Sequence, residues 1–75
     1  MAFARKPGTG DFGTRLKAER VRRGFGLREF AAQVGVFPST ISAIENRGAM
    51  PKFLIVVEMA QVLECSIDYL AGLED

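Results

Sequence analysis

Apolar residues along this chain fall into short stripes at helical spacing, separated by breaks rich in glycine and proline. Residues 1–10, with Ala4-Arg5-Lys6-Pro7-Gly8-Thr9-Gly10, carry no such rhythm and read as a flexible basic arm. Asp11 is a candidate cap for a first helix over residues 12–23, with Phe12, Leu16 and Val21 on its inner face. Gly24-Phe25-Gly26 ends it. A second helix follows over residues 27–34, where Leu27, Phe30, Ala31 and Val34 hold the i, i+3, i+4, i+7 spacing of one buried stripe. Gly35 stops it, since a left-handed cap accepts glycine without a side-chain clash.

The third helix starts at Pro38, whose missing N–H is not needed in a first turn. Its pattern turns Ile41 and Ile44 inward, together with Thr40 or Glu45, and Asn46-Arg47-Gly48 closes it. A fourth helix is expected from Pro51 to about Leu63, burying Phe53, Val56, Val57, Ala60 and Leu63. Ser66 caps a last short helix over residues 66–71, with Asp68 in its first turn and Gly72 past its end. Ile55-Val56-Val57 favours a strand by propensity, but its proline start and helical periodicity outweigh that. The pattern therefore predicts an all-α fold of five short helices, one domain over residues 11–75.

Composition narrows the function. At 75 residues the chain hides only about 60% of its unfolded surface, yet its hydrophobic fraction of 48% leaves apolar surface for a partner. One cysteine, Cys65, excludes an internal disulfide, and the absence of histidine excludes a Cys/His metal set, which suits a reducing cytoplasm. No secretory signal is visible, and the longest apolar run, residues 53–57, falls far short of the roughly 20 needed to span a bilayer. The net charge of +1 conceals a polarity. All ten cations lie in residues 1–52 with four acids, a net +6, whereas residues 53–75 carry five acids and no cation, a net −5. Such a dipole points to a polyanion facing the first part, unless the cations merely occupy solvated helix faces.

The second and third helices are separated only by Gly35-Val36-Phe37, the arrangement of a helix-turn-helix unit. The stretch Phe30-Ala31-Ala32-Gln33-Val34-Gly35-Val36, followed by Ser39-Thr40-Ile41-Ser42 and Ile44-Glu45, resembles the lambda-repressor-like helix-turn-helix family, which includes the Cro and xenobiotic-response-element-type regulators. The resemblance continues through Pro51, Phe53, Val56-Val57, Met59-Ala60 and Leu63 to Ser66-Ile67-Asp68-Tyr69-Leu70. It implies a compact domain whose third helix enters the DNA major groove. Pro38, Ser39, Thr40, Ser42 and Ala43 would then face base edges, with Phe37 at the leading end. It further implies a structural ion pair between Arg20 and Glu45, and a grip on the DNA backbone by Asn46, Arg47 and Lys52. Free N–H groups at Leu27 and Arg28 suit a phosphate, and Arg5 and Lys6 would reach the duplex as an arm. Arg22 and Arg23 are better explained as cations in the last turn of the first helix.

Three departures from the family matter. Leu27 stands where the family usually has glutamine. The face that the third helix would turn to DNA displays only proline, small hydroxyls and alanine, so no bidentate reader of guanine or adenine is available from that face, and modest direct readout is expected, helped by Arg47, Asn46, the arm or DNA shape. Leu54 and Ile55 are apolar where polar residues are common. With Val62, Cys65, Tyr69 and Leu73 they form a candidate homodimer surface, although Tyr69 and others also suit a seal over the core.

The expected function is a transcriptional regulator of bacterial or phage type, a repressor or autoregulator that binds double-stranded DNA as a dimer. The alternative is an interaction module, such as the antitoxin of a toxin–antitoxin pair, that keeps the scaffold with weak DNA readout. No enzyme is expected: histidine and convincing paired carboxylates are absent, and Cys65 stands beside Glu64 and Asp68 with no sequence-adjacent cation to activate it. No cofactor, metal or small-molecule ligand is expected either.

Overall fold

The computed structural model describes residues 11–73, with five helices and no strand among them. They are α1 (Asp11–Arg22), α2 (Leu27–Val34), α3 (Pro38–Arg47), α4 (Phe53–Leu63) and α5 (Ile67–Leu70). The basic arm expected over residues 1–10, with Arg5 and Lys6, lies outside the described residues. No helix among the described residues is long and apolar enough to cross a membrane.

The core gathers one stripe from each helix. Phe12 and Leu16 of α1 meet Phe30, Ala31 and Val34 of α2, Ile41 and Ile44 of α3, Met59, Ala60 and Leu63 of α4, and Leu70 of α5. Full burial of side chains such as Leu16, Phe30 and Ile41 stabilises by about 1.5–3 kcal/mol each. None of these helices is long enough to stand alone in water, so this shared core holds them. α1 packs on α3 and α5, α2 on α3 and α4, and α4 on α5.

Local chemistry sets the boundaries. Pro38 occupies the first turn of α3. Gly35 caps α2 at φ 94°, and its N–H donates to the Ala31 carbonyl at 2.8 Å, a conformation that costs a residue with a Cβ. Ser66 caps α5 by accepting the Tyr69 N–H at 2.9 Å. α2, α3 and α4 have no side-chain cap at their N-termini.

The sequence pattern misplaced several residues. Val21 is exposed, not inward, because the inner line of α1 runs Phe12, Leu16, Glu19 and Arg20, and Val21 lies 100° beyond its end. Of the two alternatives offered for α3, Glu45 is the one that turns inside, as expected of one of them, and Thr40 is exposed. α4 begins at Phe53, two residues after Pro51. Phe53 itself is 67% exposed. Its phase matches the buried stripe, but it is the first residue of α4 and overhangs the end of the core. Val56 and Val57 are half-buried, and Met59, not among the α4 positions expected to be buried, is fully buried.

Candidate nucleic-acid interface

α3 is held from behind along most of its length. Ile41 and Ile44 lock it into the core, and Glu45 anchors it to α1. Arg20 Nε donates to Glu45 Oε2 at 2.8 Å, Arg20 Nη2 donates to Oε1 at 3.1 Å, and Nη1 donates to the Phe25 carbonyl at 2.9 Å. One planar guanidinium thereby ties α1, α3 and the α1–α2 turn together. The Glu45 side chain is only 1% exposed. Its hydrogen bond raises the Arg20 pKa against the opposing effect of desolvation.

A second contact brings α1 and α3 closer than side chains allow. A Cβ on Gly13 would overlap the Ile44 carbonyl oxygen and would lie within 3.0 Å of the Glu45 carbonyl oxygen. Gly13 is therefore the point where α1 presses its backbone against α3.

With its inner side fixed, α3 presents Ser39, Thr40, Ser42, Ala43, Asn46 and Arg47 along the other side. Ser39, Thr40, Asn46 and Arg47 are exposed, while Pro38, Ser42 and Ala43 are half-buried. The only amide on the helix, Asn46, donates Nδ2 to Ser42 Oγ at 3.3 Å, one turn back. Phe37, immediately before α3, is 76% exposed.

The cations divide into two groups. Arg22 forms a two-pronged pair with Glu19, at 2.8 and 2.7 Å, and Arg23 reaches Glu64 at 3.5 Å. The Arg22 hydrogen bond, helped by the charges of Arg22 and Arg23 and opposed by burial, holds the Glu19 carboxyl below the usual range. Arg15 lies 5.2 Å from the centre of the Tyr69 ring. Arg28, Arg47 and Lys52 are exposed, with no carboxylate within 4 Å among the described residues. Part of the sequence's basic excess is thus spent internally, while Arg28, Arg47 and Lys52 lie on or beside α2 and α3 and Lys17 is exposed on α1. Leu27 and Arg28 begin α2, whose first turn has no side-chain cap.

A helix-turn-helix family model matches residues 16–70, covering α2 to α5 and most of α1. The chain belongs to the lambda-repressor-like helix-turn-helix family. Two members with solved structures align over nearly their whole length. The P22 c2 repressor, solved in complex with synthetic operator 9T, matches with a TM-score of 0.78 at 27% identity, over 84% of this chain and 96% of that one. SinR of Bacillus subtilis, a master regulator for biofilm formation solved in complex with DNA, matches with a TM-score of 0.73 at 33% identity, over 79% and 95%. The same fold occurs within hydroxypropylphosphonic acid epoxidase from S. wedmorenis, at 30% identity and a TM-score of 0.75, where the match covers 87% of this chain but 34% of the epoxidase. No curated protein matches the chain in sequence.

The candidate dimer residues of this helix-turn-helix chain differ in exposure. Leu54 is 74% exposed, and Leu73 is exposed as well. Ile55, Val62, Cys65 and Tyr69 are half-buried and pack against the chain's own core, so they are only partly available to a partner. Sequence reasoning missed two further exposed apolar residues close to Leu54 in sequence: Met50, 71% exposed, and Phe53. An apolar Met50 in a loop beside Pro51 was the signal available for the first. Gly13 left no signal of its own, because its importance depends on a carbonyl thirty-one residues away.

A groove of about 490 Å³ opens between α1 and α5, lined by Glu19, Arg22, Arg23, Glu64, Cys65 and Tyr69 among others. Both of its carboxylates are paired with arginines, an arrangement suited to joining helices rather than to moving protons.

Proposed function

We propose that this chain is a DNA-binding transcription regulator that occupies an operator as a homodimer, with α3 in the major groove. The observation that carries the reading is the two-sided character of α3. Its inner side is clamped by Ile41, Ile44 and the Arg20–Glu45 pair, while Ser39, Thr40 and Ala43 lie along its outer side. A rigid helix with an unoccupied face is what groove readout requires.

Pro38, Ser39, Thr40, Ser42 and Ala43 are the residues we assign to base edges. Leu27 and Arg28, through the start of α2, and Asn46, Arg47 and Lys52 are assigned to phosphates, with Arg5 and Lys6 as an additional arm. Met50 and Phe53 join Leu54 as the self-association patch: three large apolar side chains exposed within five residues just beyond α3. Pairing there would set two recognition helices side by side, for half-sites about one DNA turn apart. The simplest regulation is repression by blocking polymerase, in a bacterial or phage-infected cytoplasm, with no catalysis.

The test is a gel shift on the chain's own upstream DNA and on a random duplex of equal length, each at two salt concentrations. Preference for the upstream duplex and a steep salt dependence are expected. Arg47→Ala and Lys52→Ala should each lower the salt slope by about one unit while leaving sequence preference intact. Equal, weak binding to both duplexes would sink the operator reading. It would favour the interaction module, for which the exposed Met50, Phe53 and Leu54 patch is the supporting observation.

A further inference from the structure

The first two turns of α3's outer face, residues 38–43, lack the groups that usually read purines, and its leading end carries a large exposed ring. Of its outward residues, Ser39 and Thr40 are short hydroxyls, Ala43 is a methyl, the Asn46 amide is engaged with Ser42 Oγ, and Arg47 stands at the far end, the last residue of the helix. Phe37 is 76% exposed in an extended conformation at the N-cap, where a hydroxyl or carboxamide would ordinarily stand. It neither caps the helix by its side chain nor belongs to the core.

In the major groove only one base presents an apolar group, the C5 methyl of thymine. We propose that Phe37, with the methyl groups of Thr40 and Ala43, reads thymine methyls, so that this chain's half-site is specified by apolar contact with A·T pairs near the N-terminal end of α3. The inference rests on the operator reading above and adds its base class. Phe37 supplies the anchor because its ring extends beyond the short side chains that follow it, and covering it removes apolar surface from water. The neighbouring hydroxyls accept or donate to several bases and add tolerance rather than choice.

The probe is a duplex pool with a randomised centre, from which the preferred site is selected and then rebuilt with deoxyuridine in place of each thymine in turn. Deoxyuridine keeps the pairing and removes only the methyl. The wild-type chain should lose affinity roughly fourfold for each contacted methyl, at one or two positions per half-site. Phe37→Ala should bind the thymine duplex more weakly by a similar factor and lose the thymine-over-uracil preference at those positions. Phe37→Leu should restore part of it. Circular dichroism should show both variants folded, since Phe37 is outside the core. A sequence-specific site bound equally well with uracil would overturn the methyl reading and leave the operator reading standing. An unchanged uracil penalty in Phe37→Ala would overturn the role of Phe37, as would a change in oligomeric state by sedimentation velocity, which would give the ring to a protein contact. Failure to select any site would overturn both readings.

Discussion

Replacing Gly13 by alanine tests the packing argument most sharply, because two general rules predict opposite signs. Within a helix, glycine is worse than alanine by about 1 kcal/mol, so the substitution should stabilise an isolated α1. Here the new Cβ would overlap the Ile44 carbonyl oxygen and press on the Glu45 carbonyl and Cα. These are backbone atoms of a helix pinned by two buried isoleucines and an ion pair, so none can rotate aside. Overpacking of this kind costs about 1–3 kcal/mol, and a backbone obstacle belongs at the upper end. After the propensity gain, the net loss should be about 2 kcal/mol.

A domain of this length has a stability of roughly 4–11 kcal/mol, so that loss is a large share. Urea unfolding followed by helical circular dichroism should show the midpoint falling by about 1–2 M, with melting lowered by about 8–16 °C. Gly35→Ala makes the comparison, since it meets nothing within 4 Å and pays only for φ 94°, about 1–2 kcal/mol. Because α1 and α3 must move apart, Gly13→Ala should also weaken DNA binding, whereas Gly35→Ala should do so less at equal stability. A Gly13→Ala variant as stable as the parent would refute the close approach of α1 and α3.

Three further outcomes are expected. Glu45→Gln leaves the Arg20 guanidinium without its carboxylate in a mostly buried place and should cost about 3 kcal/mol in urea unfolding, while Arg20→Met with Glu45→Leu should recover most of that; equal losses in the single and double variants would count against the clamp. Glu19 has its carboxyl held low by Arg22, so its contribution is present above the ordinary glutamate range and disappears as pH falls through the lowered folded-state value. Glu19→Gln should therefore flatten the loss of stability below about pH 4, and an unaltered acid limb would contradict the pairing. Leu54→Glu should shift sedimentation toward the monomer and leave the urea midpoint of the monomer within about 0.5 kcal/mol, because Leu54 is 74% exposed; an unchanged association state would remove this face from the dimer.

The helices were legible in the sequence because their signals are local. Pro38 and Gly35 mark boundaries by backbone geometry alone, and the stripe in α2 needs only its own spacing. Contacts that depend on a partner were less legible. Phe53 has the right phase for the core, but phase says nothing of whether the core extends that far along the helix. Val21 shows the complementary failure, an apolar residue one step beyond the inner line. The exposed patch emerged only in part, since burial of Ile55 and Val62 against the chain's own helices depends on where α4 sits, whereas Leu54 stood out by its character alone. On α3, residue types gave the outward face, but the engagement of Asn46 with Ser42 requires coordinates.

The division of labour within α3 carries a last consequence. Stability resides in Ile41, Ile44 and Glu45, three positions on one side, while Ser39 and Thr40 are exposed. Substitutions at the two outer positions should change folding free energy by less than about 0.5 kcal/mol. The same changes should redirect DNA preference, because a readout residue acts through the base edge it meets. Ser39→Gln is the informative case: a long amide in the first turn brings a bidentate adenine contact that no residue of that turn supplies, and it joins no core. Its urea midpoint should match the parent, while the site selected from a random duplex pool should gain an adenine at one position per half-site. If Ser39→Gln and Thr40→Ala both bind the parent's preferred duplex with unaltered affinity and selectivity, the outer side of α3 does not meet the bases, and the clamp behind it must serve another partner.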